Sequence, residues 1–157
     1  LAIITAADYA ANRAPGRLLR RIDKTMSALV EAKFGELGLN VTHWIALKVV
    51  QDGIVSNAGE LARELDITTG GVTRLIDGLE KRELMVRNRN CGDRRVVQIE
   101  VTTKGGQAVL ALQRYVLSSW NEVLADFSQE EADMLIGLLL KLRSAADRVA
   151  DLQNAGV

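Results

Sequence analysis

Residues 57–84 read "NAGELARELDITTGGVTRLIDGLEKREL", and this stretch decides the fold. Asn57 followed three residues on by Glu60 is the pattern of a capping box, and it opens a short helix, "ELAREL". Asp66 and Ile67 interrupt that helix with a brief turn. Thr68 then starts a second helix, "TTGGVTRLIDGLEKREL", on which Val72, Leu75, Ile76 and Leu79 make one apolar face. Two short helices across so tight a turn form a helix-turn-helix pattern.

Downstream, "LMVRN" (84–88) and "VVQIEVT" (96–102) read as strands, the second with Val97, Ile99 and Val101 alternating against Gln98 and Glu100. The intervening "RNCGDRR" becomes the tip of a β-ribbon, so helix, helix, strand, charged loop and strand follow in the order of a winged helix-turn-helix. Upstream, Thr42 is placed to cap a helix "HWIALKVVQD" that Gly53 stops. Before it, Pro15 suits a helix start, and Leu18, Ile22, Met26, Leu29 and Lys33 recur at three- and four-residue spacing, which predicts a long helix from Pro15 to Phe34.

The last third differs in kind. Val109, Leu112, Val116, Trp120, Val123 and Phe127 mark one stripe, and Leu110, Leu117 and Leu124 repeat every seven residues beside it. Ser128 with Glu131 restarts a final helix, where Leu135, Leu138, Leu142, Ala145, Val149 and Leu152 have the spacing of a coiled-coil seam. One wing domain cannot cover that much apolar surface, which predicts a homodimer. The expected architecture is mainly α with a small β-ribbon: a single domain over 1–157, a winged helix-turn-helix over 42–103, and dimerisation helices over 10–38 and 104–157.

Composition narrows the function classes. The net charge is zero, which argues against a uniformly basic nucleic-acid binder, but the charge is unevenly spread. Residues 74–104 carry 8 basic and 5 acidic side chains, whereas residues 105–157 carry 4 and 7. A positive working edge on a neutral body is the expectation. One cysteine excludes an internal disulfide and any multi-cysteine metal site, and one histidine weakens histidine-rich ones. With no P-loop and no GxGxxG element, no catalytic constellation is legible, and neither a metal nor a cofactor is expected. No apolar run approaches the roughly 20 residues of a membrane-spanning helix, and the N-terminus lacks a signal pattern, so a cytoplasmic protein without membrane association is expected.

The chemistry should sit at two places. A recognition helix enters the major groove through its N-terminal residues. Thr68, Thr69 and Thr73 offer hydroxyls to phosphates or base edges, and Arg74 offers a planar fork. Gly70 and Gly71 should each cost about 1 kcal/mol relative to Ala in a helix interior, which makes sense where backbone must come close to DNA. On the ribbon, Arg94 is a candidate phosphate contact and Arg95 a minor-groove probe, with Asp93 as its positioner. Arg87 and Arg89 give basic support at the ribbon base. Double-stranded DNA is therefore the expected partner. A winged helix that binds protein instead is the alternative class, and its mark would be the absence of any duplex shift at low salt.

Over nearly the whole chain the sequence resembles the MarR family of bacterial transcription regulators, particularly its SlyA-like branch. The resemblance is carried by "VTHWIAL", by "ELARELDITTGGVTRLIDGLEKREL", by "NCGDRRVVQIEVTTKG" and by the two C-terminal helices. It implies a homodimeric repressor-type regulator on a near-palindromic operator, recognition helices in successive major grooves and Arg95 in the minor groove. Gly71 departs from the family, whose members often carry Ser or Thr there. Relatives often release DNA on binding small phenolic or aromatic carboxylate ligands between the dimerisation helices and the wing domain. By that resemblance Arg17, Arg21, His43, Trp44 and Arg87 are candidates for an aromatic carboxylate effector. Cys91 lies among arginines that would lower its pKa, which raises a redox-responsive alternative. Peroxide-sensing relatives usually place their cysteine in the first helix, and this chain has none there.

Overall fold

Seven helices and two strands follow one another in a computed structural model that describes residues 3–10, 13–35, 38–88 and 97–156. They are α1 (Ala6–Ala10), α2 (Pro15–Phe34), α3 (Val41–Gln51), α4 (Ala58–Glu64), α5 (Thr69–Lys81), β1 (Met85–Asn88), β2 (Gln98–Val101), α6 (Thr103–Val123) and α7 (Gln129–Ala155). The expected fold class stands: mostly helical, with one two-stranded sheet. The chain forms two compact units, residues 1–119 and residues 120–157.

In the first unit the helix-turn-helix is built from local closures. Asn57 accepts from the Glu60 amide at 3.0 Å, whereas the Glu60 carboxylate takes the Ser56 amide at 2.7 Å instead of closing a reciprocal box. Thr68 caps α5 through the Gly71 amide at 3.1 Å. At the other ends, α3, α4 and α5 finish in the same way. The next residue but one beyond each cap turns its amide back onto the helix: Ile54 to the Val49 carbonyl at 2.9 Å, Ile67 to Ala62 at 3.0 Å, and Leu84 to Leu79 at 2.9 Å. This closure requires a left-handed residue in between. Gly53 supplies it at φ 71°, but Asp66 and Glu83 adopt it at 50° and 62° without being glycine.

The cap of α3 differs from the expectation. Asn40, not Thr42, accepts from the His43 amide at 2.8 Å, and His43 Nδ1 accepts in return from the Asn40 amide at 3.2 Å. An imidazole thus takes the place usually held by Glu or Gln. On α2, Met26, Val30 and Phe34 are buried, while Leu18, Ile22 and Leu29 are exposed.

β1 and β2 pair antiparallel, with Met85 opposite Val101 and Asn88 opposite Gln98. The segment before α4 adds a rung to the free side of β2, the Ile99 amide donating to Ser56 O at 2.9 Å. Leu47, Leu61, Val72, Ile76, Leu79, Met85, Ile99, Val109 and Leu112 form one core with Phe34 of α2. α6 enters this unit at a tight joint. Thr102 donates its amide to Leu84 O at 3.1 Å and its hydroxyl to Glu83 O at 2.7 Å, and the same hydroxyl accepts from the Gly105 amide at 2.9 Å.

In the second unit the Ser128–Glu131 box closes reciprocally at 3.2 and 2.9 Å, as expected. α7 runs for 27 residues without a buried side chain, and Leu138, Leu142, Val149 and Leu152 of the expected seam are exposed.

Candidate nucleic-acid interface

The cap and first two turns of α5 present Thr68, Thr69, Gly70, Thr73 and Arg74 together, all exposed. The apolar side of the same helix, Val72, Ile76 and Leu79, is buried in the core, so the amphipathic pattern fixes which residues face outward. A helix N-terminus also carries amides without intrahelical partners and a partial positive charge, both suited to an anion. In this structure the polar side chains rest on their own helix. Thr73 Oγ1 donates to Thr69 O at 2.9 Å, and Arg74 Nε donates to Gly70 O at 3.2 Å.

The two glycines separate in role. A Cβ on Gly71 would meet Thr68 Oγ1 at 3.3 Å and Ile67 Cβ at 3.7 Å, whereas one on Gly70 would meet nothing within 4 Å. Internal packing therefore gives no reason for glycine at position 70. Gly70→Ala is expected to leave the fold intact or raise its thermal midpoint, since alanine restricts the unfolded chain. If duplex DNA approaches this backbone, the same change should weaken binding by roughly 1 to 3 kcal/mol. Melting curves and duplex titration of the one variant would check both signs.

Arg87 lies elsewhere. Its Nη1 donates to Asp77 Oδ1 at 2.7 Å and also bonds Glu80 Oε2, its Nη2 reaches Thr73 O at 3.5 Å, and its amide donates to Glu80 Oε1 at 2.9 Å. The charge expected to support DNA or a ligand is engaged with the acidic side of α5. Arg89, Cys91, Asp93, Arg94 and Arg95 fall in residues 89–96, which lie outside the described residues.

A cleft of about 460 Å³ opens between the end of α5 and the start of α6, lined by Leu39, Arg82, Leu84, Lys104, Gln107, Ala108 and Ala111. Its floor is apolar and two cations stand at its edge, Lys104 being paired with Glu83 at 2.8 Å. None of the residues expected to hold an effector lines it. Arg17 and Arg21 are exposed on α2, and Trp44 packs against the core with its indole N–H buried and without a hydrogen-bond partner among the described residues. Arg82 and Lys104 were not expected, because they stand more than twenty residues apart in the chain and meet through the α6 joint.

His43 closes the capping box of α3 from its third helical position. Burial holds its imidazole below the ordinary value of 6.5, and the Arg82 charge adds to that. The folded state therefore keeps the ring neutral, with Nδ1 accepting from Asn40. The stability this contributes is present above pH 6.5. It declines as pH falls through 6.5, because the unfolded chain takes up the proton first, and levels off below the folded value. Urea unfolding at pH 7.5 and 5.5 should show this loss in the wild type and not in His43→Gln, whose amide does not titrate.

Among the described residues there is no group of three or more His, Cys, Asp and Glu side chains able to hold a metal, and no helix long and apolar enough to cross a membrane.

The family model described as MarR matches residues 39–97. A mutant MarR from E. coli complexed with operator DNA superposes with a TM-score of 0.72 at 21% identity, over 88% of this chain and 99% of that one. The MepR–DNA complex of S. aureus gives 0.70 at 24%, over 84% and 98%. A probable transcriptional regulator from Pseudomonas aeruginosa gives 0.70 at 25%, over 84% and 98%. Residues 39–97 thus match the MarR family model, and the chain has the fold that these crystal structures share.

Proposed function

We propose that this protein is a homodimeric, sequence-specific DNA-binding transcriptional regulator that acts in the cytoplasm. The observation that carries the reading is the exposed N-terminal end of α5, where Thr68, Thr69, Thr73 and Arg74 surround a glycine that internal packing does not require. Such an end fits the major groove, with hydroxyls for phosphate oxygens and a guanidinium for a guanine edge or a phosphate. Support comes from the structural neighbours described as complexes with DNA or operator DNA. The arginines of residues 89–96 would then serve the adjacent minor groove, Arg95 as the probe and Asp93 as its positioner.

The dimer is supported by α7. A row of exposed leucines and valines at seam spacing, on a helix without one buried side chain, matches a surface that a second copy would cover. Two α5 helices related by a two-fold axis would read a near-palindromic operator. The resemblance to the SlyA-like branch rests on "VTHWIAL" and "NCGDRRVVQIEVTTKG".

The effector site is best placed in the cleft at the α6 joint. An apolar floor with Arg82 and Lys104 at the edge suits an aromatic carboxylate better than a neutral or cationic ligand. Its occupation would press on the end of the recognition helix and weaken operator binding, as repressor release requires.

Selection of bound fragments from the source genome tests the reading. Enrichment of one near-palindromic sequence is the expected result, followed by loss of the complex when aromatic carboxylates are titrated in. Failure to shift any duplex at low salt would favour a protein-interaction module instead.

A further inference from the structure

Thr73, Asp77 and Glu80 stand at successive turns of α5, on one face of the helix, and Arg87 of β1 reaches all three. The guanidinium bonds both carboxylates and approaches the Thr73 carbonyl, while the Arg87 amide donates to Glu80. One strand residue thus grips the recognition helix from its outward-facing first turns to its last. We infer that Arg87 is a positioning residue: it fixes the rotation of α5 about its own axis, and hence which side chains Thr68, Thr69, Thr73 and Arg74 present to the duplex. The inference rests on the DNA-binding reading and adds a determinant of sequence discrimination to it.

Two features favour positioning over a merely stabilising bond. The side chains of Asp77, Glu80 and Arg87 are 48%, 31% and 25% exposed, and ion pairs this open to water contribute little to global stability. The geometry, however, is specific. Two carboxylates and a backbone carbonyl from three turns converge on one planar fork, which a flexible lysine would not reproduce. The grip also ties α5 to β1, whose last residue, Asn88, follows Arg87 directly.

The sign of the effect is diagnostic. Removing a negative charge near a DNA-binding surface ordinarily raises affinity for any duplex, because phosphate repulsion falls. A grip that sets the helix rotation predicts the reverse for the selected duplex. Asp77→Asn and Glu80→Gln should each lower affinity for the selected duplex about tenfold, a size typical of coupling between sites. They should leave binding to an unrelated duplex unchanged or tighter, with the melting temperature moved by no more than a few degrees. Arg87→Ala should do the same to the selected duplex without flattening the salt dependence by one phosphate contact, and Arg87→Lys should restore only part of the loss.

Hydrogen exchange gives a reading without DNA: amides of the first two turns of α5 should exchange faster in Glu80→Gln than in the wild type. If both acidic variants bind the selected duplex as well as or better than the wild type, or α5 exchange is unchanged, Arg87 is not a positioning residue. If the wild type itself selects no duplex, the DNA reading fails, whatever the exchange data show.

Discussion

Gly105→Ala should cost about 3 kcal/mol, as overpacking against an unyielding neighbour does. A Cβ at this position would stand 2.0 Å from the Leu84 carbonyl oxygen and 2.7 Å from Val101 Cγ1. Neither obstacle is the tip of a flexible side chain. The Leu84 oxygen is also the acceptor of the Thr102 amide, so it cannot retreat without breaking the joint that seats α6. For a chain of this length the melting temperature should fall by roughly 6 to 12 °C. Gly106→Ala is the internal control. A Cβ there meets only Gln51 Nε2 at 3.3 Å, the end of a mobile side chain, and alanine favours the helix by up to about 1 kcal/mol. The neighbouring substitutions should therefore move the melting temperature in opposite directions. Equal losses for both would mean that the joint is looser than its geometry requires.

The second large effect is electrostatic. A dimer placing two α5 helices and two basic ribbons on one duplex would neutralise several phosphates. Its observed affinity should fall about a thousandfold between 50 and 200 mM salt if some six phosphates are contacted. The chain as a whole has no net charge, so a bulk attraction to polyanions does not account for such a slope, whereas a localised face does. Fluorescence anisotropy across that salt range measures it. A flat response would contradict phosphate contacts and with them the proposed function. Arg74→Ala should reduce the slope as well as the affinity, in contrast to Arg87→Ala.

Much of this organisation could be read from the chain itself, for reasons visible in particular residues. Pro15 and Phe34 bound α2 as the periodicity indicated, and Thr68 and Ser128 cap the helices they were expected to cap. These signals are local, and the physics that sets them acts within four residues. The α3 cap was missed because His43 is not one of the usual partners in a capping box, although its ring nitrogen accepts the same bond. The short helix α1 carried no periodic signal. What sequence could not supply was convergence across long separations. The cleft at the α6 joint draws on positions 39, 82, 84, 104, 107, 108 and 111, which meet only once α6 is seated on Leu84. Arg87 reads as one more cation of a basic run, and only the pairing of β1 beside α5 shows that carboxylates of α5 engage it.

The second unit carries a consequence of another kind. An isolated helix in water is marginal unless a packed face supports it, and α7 is 27 residues long with no buried side chain. With its seam covered by a second copy, the order of α7 becomes a function of protein concentration as much as of sequence. Occupancy of an operator by such a dimer rises with the square of the monomer level while monomers predominate. A modest drop in the amount of protein in the cell would then empty the site more sharply than the same drop in a monomeric regulator.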